Sequence, residues 1–306
     1  MTVTEAEGRP PAAGTPTAAT KQAVEKAPGI VSETARRFVS NRLSMVGLLF
    51  VGLILGTAIL ADLIAPHPRD YVFFTAMLAD PSPEHLLGTD ATGRDFLTRA
   101  MHGARTSMTV GLMVPLLAAL VGIPVGAVAG WRGGRFDSLF LRVVEIWTAI
   151  PTYMLAILFV AVWGGGLDKL ILYLVIVSWI GLARLARAQV VSLKGREYVL
   201  SARALGASDR RLIVHHILPN AAGPLVVGLV MAIPAAIFVE AGLSFIGLGV
   251  NDPIPSWGKM ITEGGAFASS NPILMIVPII LVAVTMLAFT FVGDGLRDAF
   301  DPHSKP

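Results

Sequence analysis

Residues 196–220 read REYVLSARALGASDRRLIVHHILPN, a basic, water-compatible stretch set between two long apolar runs. Each flanking run is long enough to cross a bilayer, so this stretch must leave the lipid and the chain must cross on either side of it. Good helix formers from Arg184 to Leu205 continue the preceding run, and Gly206 then breaks the helix. Ser208 caps a second helix with Asp209 in its first turn, and Pro219 ends it. In that second helix Leu212, Ile213, His216 and Ile217 share one face, while Arg210, Arg211 and His215 occupy much of the remainder. Two readings of this helix–glycine–helix unit are open from periodicity. It is a docking element, with an apolar anchor inside a charged rim, or an amphipathic helix held on anionic lipid by its arginines.

Outward from this stretch the chain is membrane material. Of its 306 residues 54% are hydrophobic, above the share of about 45–50% usual for soluble domains, and the mean hydropathy is +0.68. Six stretches reach the roughly 20 residues a bilayer needs, at about 43–64, 107–130, 143–163, 169–189, 222–247 and 273–293. The expected fold is therefore an all-α polytopic membrane protein with six transmembrane helices. The Lys and Arg distribution orients it: 18 of the 24 fall on the side holding both termini and the opening stretch, which is accordingly cytoplasmic. The basic residues flank spans and form no stripe with interleaved aromatics, so nucleic acid is not expected as a partner. Without cysteine the chain has no disulfides, thiolate metal sites or Cys nucleophile.

Four regions follow. Residues 1–35 lack large apolar side chains and read as a disordered cytoplasmic tail; the apolar run after them starts too late, and runs too long, for a cleaved signal peptide. Residues 36–66 hold the first membrane helix. Residues 67–106 form an extracytoplasmic segment in which Phe96, Leu97, Ala100, Met101 and Ala104 recur at helical spacing, as in a short interfacial helix or a solvated lead-in to the second span. Residues 107–306 hold the other five spans as a membrane core, with the basic loop at 190–220. Gly122, Gly126 and Gly130 in the second span predict close approach of a neighbouring helix, and Pro151, Pro234 and Pro278 predict bends.

Catalytic motifs are missing: there is no GxxxxGK[ST], HExxH or GxSxG, and His215 and His216, being adjacent, turn to different sides of a helix with no further ligands nearby, so no metal site is expected there. One ionisable residue lies within an apolar span, Glu240, with Ser244 one turn away and Phe238 beside it. Placing its charge at the bilayer centre costs on the order of 2.5 kcal/mol or more. Glu240 therefore faces protein or a wet cavity, either as part of a translocation path or gate or as an interhelical hydrogen bond that fixes packing.

ARALGASDRRLIVHHILPN resembles the cytoplasmic EAA loop of ABC importer permeases through Ser201, Ala202, Gly206, Ile217, Leu218 and Pro219, with Leu200 where that family has Glu. LLGTDATGRDFLTRAMHGART, EAGLSFIGLGVNDPIPSWGKM and GDGLRDAFDP resemble the C-type permeases of its dipeptide, oligopeptide and nickel branch, so the likeness extends over about 40–302. The resemblance implies a type I importer bundle in a bacterial inner membrane. It also implies a non-catalytic chain paired with a second permease, two cytoplasmic ATPase subunits that bind ATP and Mg, and an extracytoplasmic substrate-binding protein. Residues Leu200, Ser201, Ala202, Arg203, Leu205, Gly206, Ala207, Ser208, Arg210, Arg211, Leu212, His215 and His216 would then couple to an ATPase. Cargo of the same architecture includes peptides, nickel and glutathione. From other classes, an intramembrane enzyme using Glu240 and Ser244, or a scaffold whose loop only recruits a partner, are the competing readings.

Overall fold

The computed structural model describes residues 30–301, and among these the chain is helical, with one isolated bridge between Thr89 and Asp95 as its extended pairing. Most of the tail expected to be disordered lies outside the described residues, but its last part, 30–35, is helical. α1 runs over Ile30–Ser40 and meets α2, Arg42–Ile64, at Asn41. The Asn41 side chain caps α2 by accepting from the Leu43 and Ser44 amides at 3.1 and 3.4 Å. Arg37 of α1 donates to the Asp301 carbonyl at 3.0 Å, which joins the start of the described chain to its end.

The remaining helices are α3 (Phe96–Arg132), α4 (Gly134–Ala149), α5 (Thr152–Trp163), α6 (Leu167–Leu193), α7 (Glu197–Ala204), α8 (Asp209–Arg211), a π-helical turn (Leu212–Ile217), α9 (Leu218–Asn220), α10 (Ala222–Phe245), α11 (Trp257–Gly265) and α12 (Ile273–Phe300). Helices α2, α3, α6, α10 and α12 are each long and apolar enough to cross a bilayer. The third expected span is broken: α4 and α5 meet at 81° around Ile150 and Pro151. Proline has no N–H for the helix ladder and pushes the residue before it out of helical conformation, and Ile150 is extended there. α10 and α12 run on through Pro234 and Pro278.

α3 is the spine. At 37 residues it is about 55 Å long, and it packs against α2, α6, α10 and α11. Its opening turns are the stretch expected as a separate interfacial helix. Phe96, Ala100 and Ala104 are buried there, so this apolar face meets protein and not a membrane surface. Against α6 the spine is smooth. A Cβ on Gly122, Gly126 or Gly130 would overlap the backbone of Trp179, Ala183 and Arg187 in turn, so a matching four-residue step on α6 lies directly on the glycine stripe.

Ahead of and at the start of α3 a knot of charge replaces secondary structure. One Asp90 carboxylate oxygen accepts from the Thr92 amide (2.8 Å), the Thr92 hydroxyl (2.7 Å) and the Arg94 amide (2.9 Å), and the other from Arg94 Nε (2.8 Å) and the buried Arg99. Arg99 also donates to Glu263 of α11 at 2.8 Å. Burial alone would raise the Asp90 carboxyl, but the Arg94 amide, Thr92 and the two guanidinium groups outweigh it and hold the group below its ordinary 3.8. A carboxylate so depressed contributes its stability in full above pH about 4 and loses it as pH falls through the folded-state value.

Two outcomes test this packing by thermal unfolding in detergent. Gly126→Ala should cost about 1–3 kcal/mol by forcing α3 off α6, whereas Gly52→Ala, into open space on α2, should be near neutral. Asp90→Asn should cost about 3 kcal/mol at pH 7 by leaving Arg99 short of its partner, and the gap to wild type should narrow below pH 3.

Candidate functional site

The 196–220 stretch is a short, rigid turn of helices. α7 ends in a Schellman arrangement, with the Ala207 amide donating to the Ala202 carbonyl at 3.1 Å and the Gly206 amide to that of Arg203 at 3.0 Å. That closure needs a left-handed residue, and Gly206 has φ of +87°. Ser208 then caps α8, accepting from the Arg211 amide at 3.4 Å. Both features match the sequence expectation. The helix continues as a π turn over Leu212–Ile217, a local widening common at functional positions.

The apolar strip of the second helix faces the other way from what its pattern invites. Leu212 and Ile217 are fully buried, packed with Ala127 of α3, Val190 of α6 and Val199 of α7, and flanked by the partly buried Trp131, Leu193 and Ile213. They anchor the loop to its own bundle and offer nothing to a partner's groove. What faces outward is Leu205, 89% exposed at the tip, with Leu200 at 51% beside Ser201, Arg203, Ser208, Arg210, Arg211 and His215. Ala202, Ala207 and His216 are half-buried. The Arg203 guanidinium lies 5.2 Å from the centre of the Trp131 ring and 3.7 Å from the Asp209 carboxylate, so it is braced against the bundle while still exposed. The tip thus carries the exposed Leu205 in a loop that also exposes Arg203, Arg210 and Arg211, on a base fixed to α3 and α6.

The gate residues divide. Glu240 is completely buried in α10, accepting from Ser244 Oγ at 2.8 Å and from Ser107 Oγ of α3 at 3.4 Å. Ser107 Oγ in turn accepts from the Trp257 amide at 3.3 Å, and Trp257 Nε1 donates to the Ala100 carbonyl at 3.0 Å. Ser256 caps α11, accepting from the Lys259 amide at 3.2 Å, and stands 3.5 Å from Ser244. The carboxyl therefore ties α3, α10 and the start of α11 together. Phe238, two residues earlier, is 60% exposed on the opposite face and has no part in the network. Glu240 and Ser244 have no route to bulk substrate, which leaves an intramembrane enzyme without an open centre.

Two clusters had no counterpart in the sequence reading. The Asp90–Arg99–Glu263 chain was signalled only by the charge density of GTDATGRD, with no hint that its third member lies beyond residue 260. His67, His85 and Asp95 also group between α2 and α3. His85 Nδ1 is 2.9 Å from Asp95 Oδ2, His67 Nε2 is 3.0 Å from the Glu84 carbonyl, and Asp95 Oδ1 caps α3 by accepting from the Thr98 amide at 2.8 Å.

Replacing Glu240 with Ala should cost about 1–3 kcal/mol in detergent unfolding by stranding the Ser107 and Ser244 hydroxyls, with Gln recovering most of it. An unchanged melting temperature with altered transport would favour the gate over the packing role.

The family model described as binding-protein-dependent transport system inner membrane component matches residues 122–306, and that described as the N-terminal TM domain of oligopeptide transport permease C matches 31–81. The oligopeptide transport system permease protein OppC of Bacillus subtilis is 42% identical over 268 residues, 87% of each chain. The dipeptide transport system permease protein DppC of the same organism is 39% identical over 87% of this chain and 84% of its own. In fold, the chain resembles an inward-facing structure of the MetNI methionine ABC transporter, with a TM-score of 0.56 at 18% identity over 67% of this chain and 98% of the other. With a spine, a basal loop and a bundle of this form, and with relatives this similar over most of its length, the chain belongs to the binding-protein-dependent transport system inner membrane component family, as a non-catalytic membrane subunit of the ABC importer type.

Proposed function

We propose that this chain forms half of the translocation path of an ATP-driven importer of dipeptides or oligopeptides, and that residues 196–220 couple it to a cytoplasmic ATPase subunit. The observation that carries this reading is the loop itself: its apolar strip is locked into α3 and α6, and Leu205 projects from it among Arg203, Arg210 and Arg211. A tip that is both exposed and rigid transmits a push; a loop resting on its own apolar face would slide. Peptide cargo is supported by the relatives named for oligopeptide and dipeptide transport. The Lys and Arg distribution supports a cytoplasmic loop and cytoplasmic termini.

The rest of the assembly follows from that role. A second, homologous permease completes the path, two ATPase subunits hold ATP and Mg, and an extracytoplasmic binding protein delivers cargo and sets most of the selectivity. Nickel or glutathione would be chosen at that delivery step, without changing the part played by this chain.

The test is reconstitution of the four-component complex in proteoliposomes, with ATP-dependent peptide uptake as readout. Leu205→Glu should leave membrane insertion and thermal stability unchanged, because Leu205 is already in solvent. It should lower ATPase co-purification and uptake by tenfold or more, about the effect of losing an interface hot spot. Gly206→Pro, which cannot reach a positive φ, should uncouple hydrolysis from uptake. Normal uptake by both variants would remove the docking role.

A further inference from the structure

The crook of the α4–α5 break encloses a cavity of about 360 Å³ against α6, bordered by Trp147, Thr148 and Ile150 on one arm, Thr152 on the other, and Ser178 and Arg184 on α6. Its chemistry is one-sided. Arg184 is exposed and has no hydrogen-bond or ion-pair partner among the described residues, in contrast to Arg187 one turn further on, which is doubly bonded to Asp137. The Thr152 and Ser178 hydroxyls likewise bond to nothing among the described residues, whereas the Thr148 proton is taken by the Val144 carbonyl at 2.9 Å. No carboxylate borders the space; Glu145 on α4 is turned to Arg142 at 3.1 Å. The lining therefore presents one full positive charge and two uncommitted hydroxyl donors.

Its position argues for water and against lipid. Arg184 lies nine residues before the end of α6, about 14 Å along the axis. Arg184 falls toward the basic, loop-side end of the span, and an interrupted helix facing hydrocarbon there would leave backbone polar groups unsatisfied. Gly181, one turn before Arg184, is exposed and has open space where a side chain would be. This face of α6 thus combines a free cation, bare backbone and a helix break, three features that hydrocarbon excludes and an aqueous path tolerates.

We propose that this cavity is a carboxylate-binding station on the translocation path, where Arg184, assisted by the Thr152 and Ser178 hydroxyls, receives the C-terminal carboxylate of a peptide in transit. The inference rests on the peptide-import reading above. A carboxylate is the one group that peptides of every sequence share at that end, so a single guanidinium serves varied cargo. One charge in a wet cavity binds weakly enough to release, as a path requires. A lipid phosphate offers similar oxygens, and the experiment separates the two sources.

The complete complex is reconstituted in proteoliposomes with pairs of peptides that differ only in a free-acid or amidated C-terminus. Each peptide is one that the binding protein holds in both forms, and each is supplied as saturated binding protein so that delivery is equal. Wild type should move the acid about tenfold faster than the amide, the factor expected for one charge-assisted hydrogen bond. Arg184→Ala should bring that ratio to about one with subunit stoichiometry unchanged, and Arg184→Lys should keep most of it. An unchanged ratio in Arg184→Ala overturns the station. An equal fall for both peptides, not rescued by Lys, makes Arg184 structural, and an equal fall that tracks anionic lipid content assigns the site to a headgroup; either overturns the station. Failure of wild type to take up either peptide with ATP would instead sink the import reading, and the station with it.

Discussion

The bundle depends on the approach of two backbones. Where Gly122, Gly126 and Gly130 of α3 meet Trp179, Ala183 and Arg187 of α6, no side chain stands between the helices. Dispersion and carbonyl contacts at that range replace the hydrophobic drive that lipid does not supply. The pair is closed at its inner end by Lys194 Nζ, which donates to the Gly130 carbonyl at 3.0 Å, and by the Arg187–Asp137 pair from α6 to α4. Everything argued for the loop assumes this seam. Val190 and Ala127, which hold Leu212 and Ile217, are residues of these same two helices.

The loop reverses a common expectation about amphipathic helices. An apolar strip with a basic rim resembles a surface awaiting a partner, but here the strip is already spent on the chain's own core, and the apolar side chains left most exposed are Leu205, next to the glycine, and Leu200. The reversal makes mechanical sense. A loop whose anchor is internal moves with the bundle, and the cost of ordering it falls on folding and not on binding.

Local chemistry was legible in the sequence and long-range partnership was not. Gly206 as a break, Ser208 as a cap and the glycine stripe as a close contact each follow from backbone constraints within a few residues, and each matches the structure. Periodicity showed that Leu212 and Ile217 share a face, but only the fold decides what covers it. The prolines make the same point: Pro115, Pro124, Pro234 and Pro278 all sit inside continuous helices, Pro124 exposed and the other three buried, while Pro151 marks a break, so residue type alone does not say which proline interrupts a helix. Arg99 to Glu263 and Ser107 to Glu240 join residues more than a hundred positions apart, and no spacing rule reaches that far.

The unbroken length of α3 has a thermodynamic consequence. Its first turns carry Arg99, hub of the charge knot, and its last turns carry Ala127, against which the 196–220 loop is seated. Two arrangements mounted on one strut are linked: if an event at one end changes the free energy of the other, the reverse change is of the same size. Reciprocity of this kind requires no moving hinge in the spine itself, only that its two ends cannot shift independently.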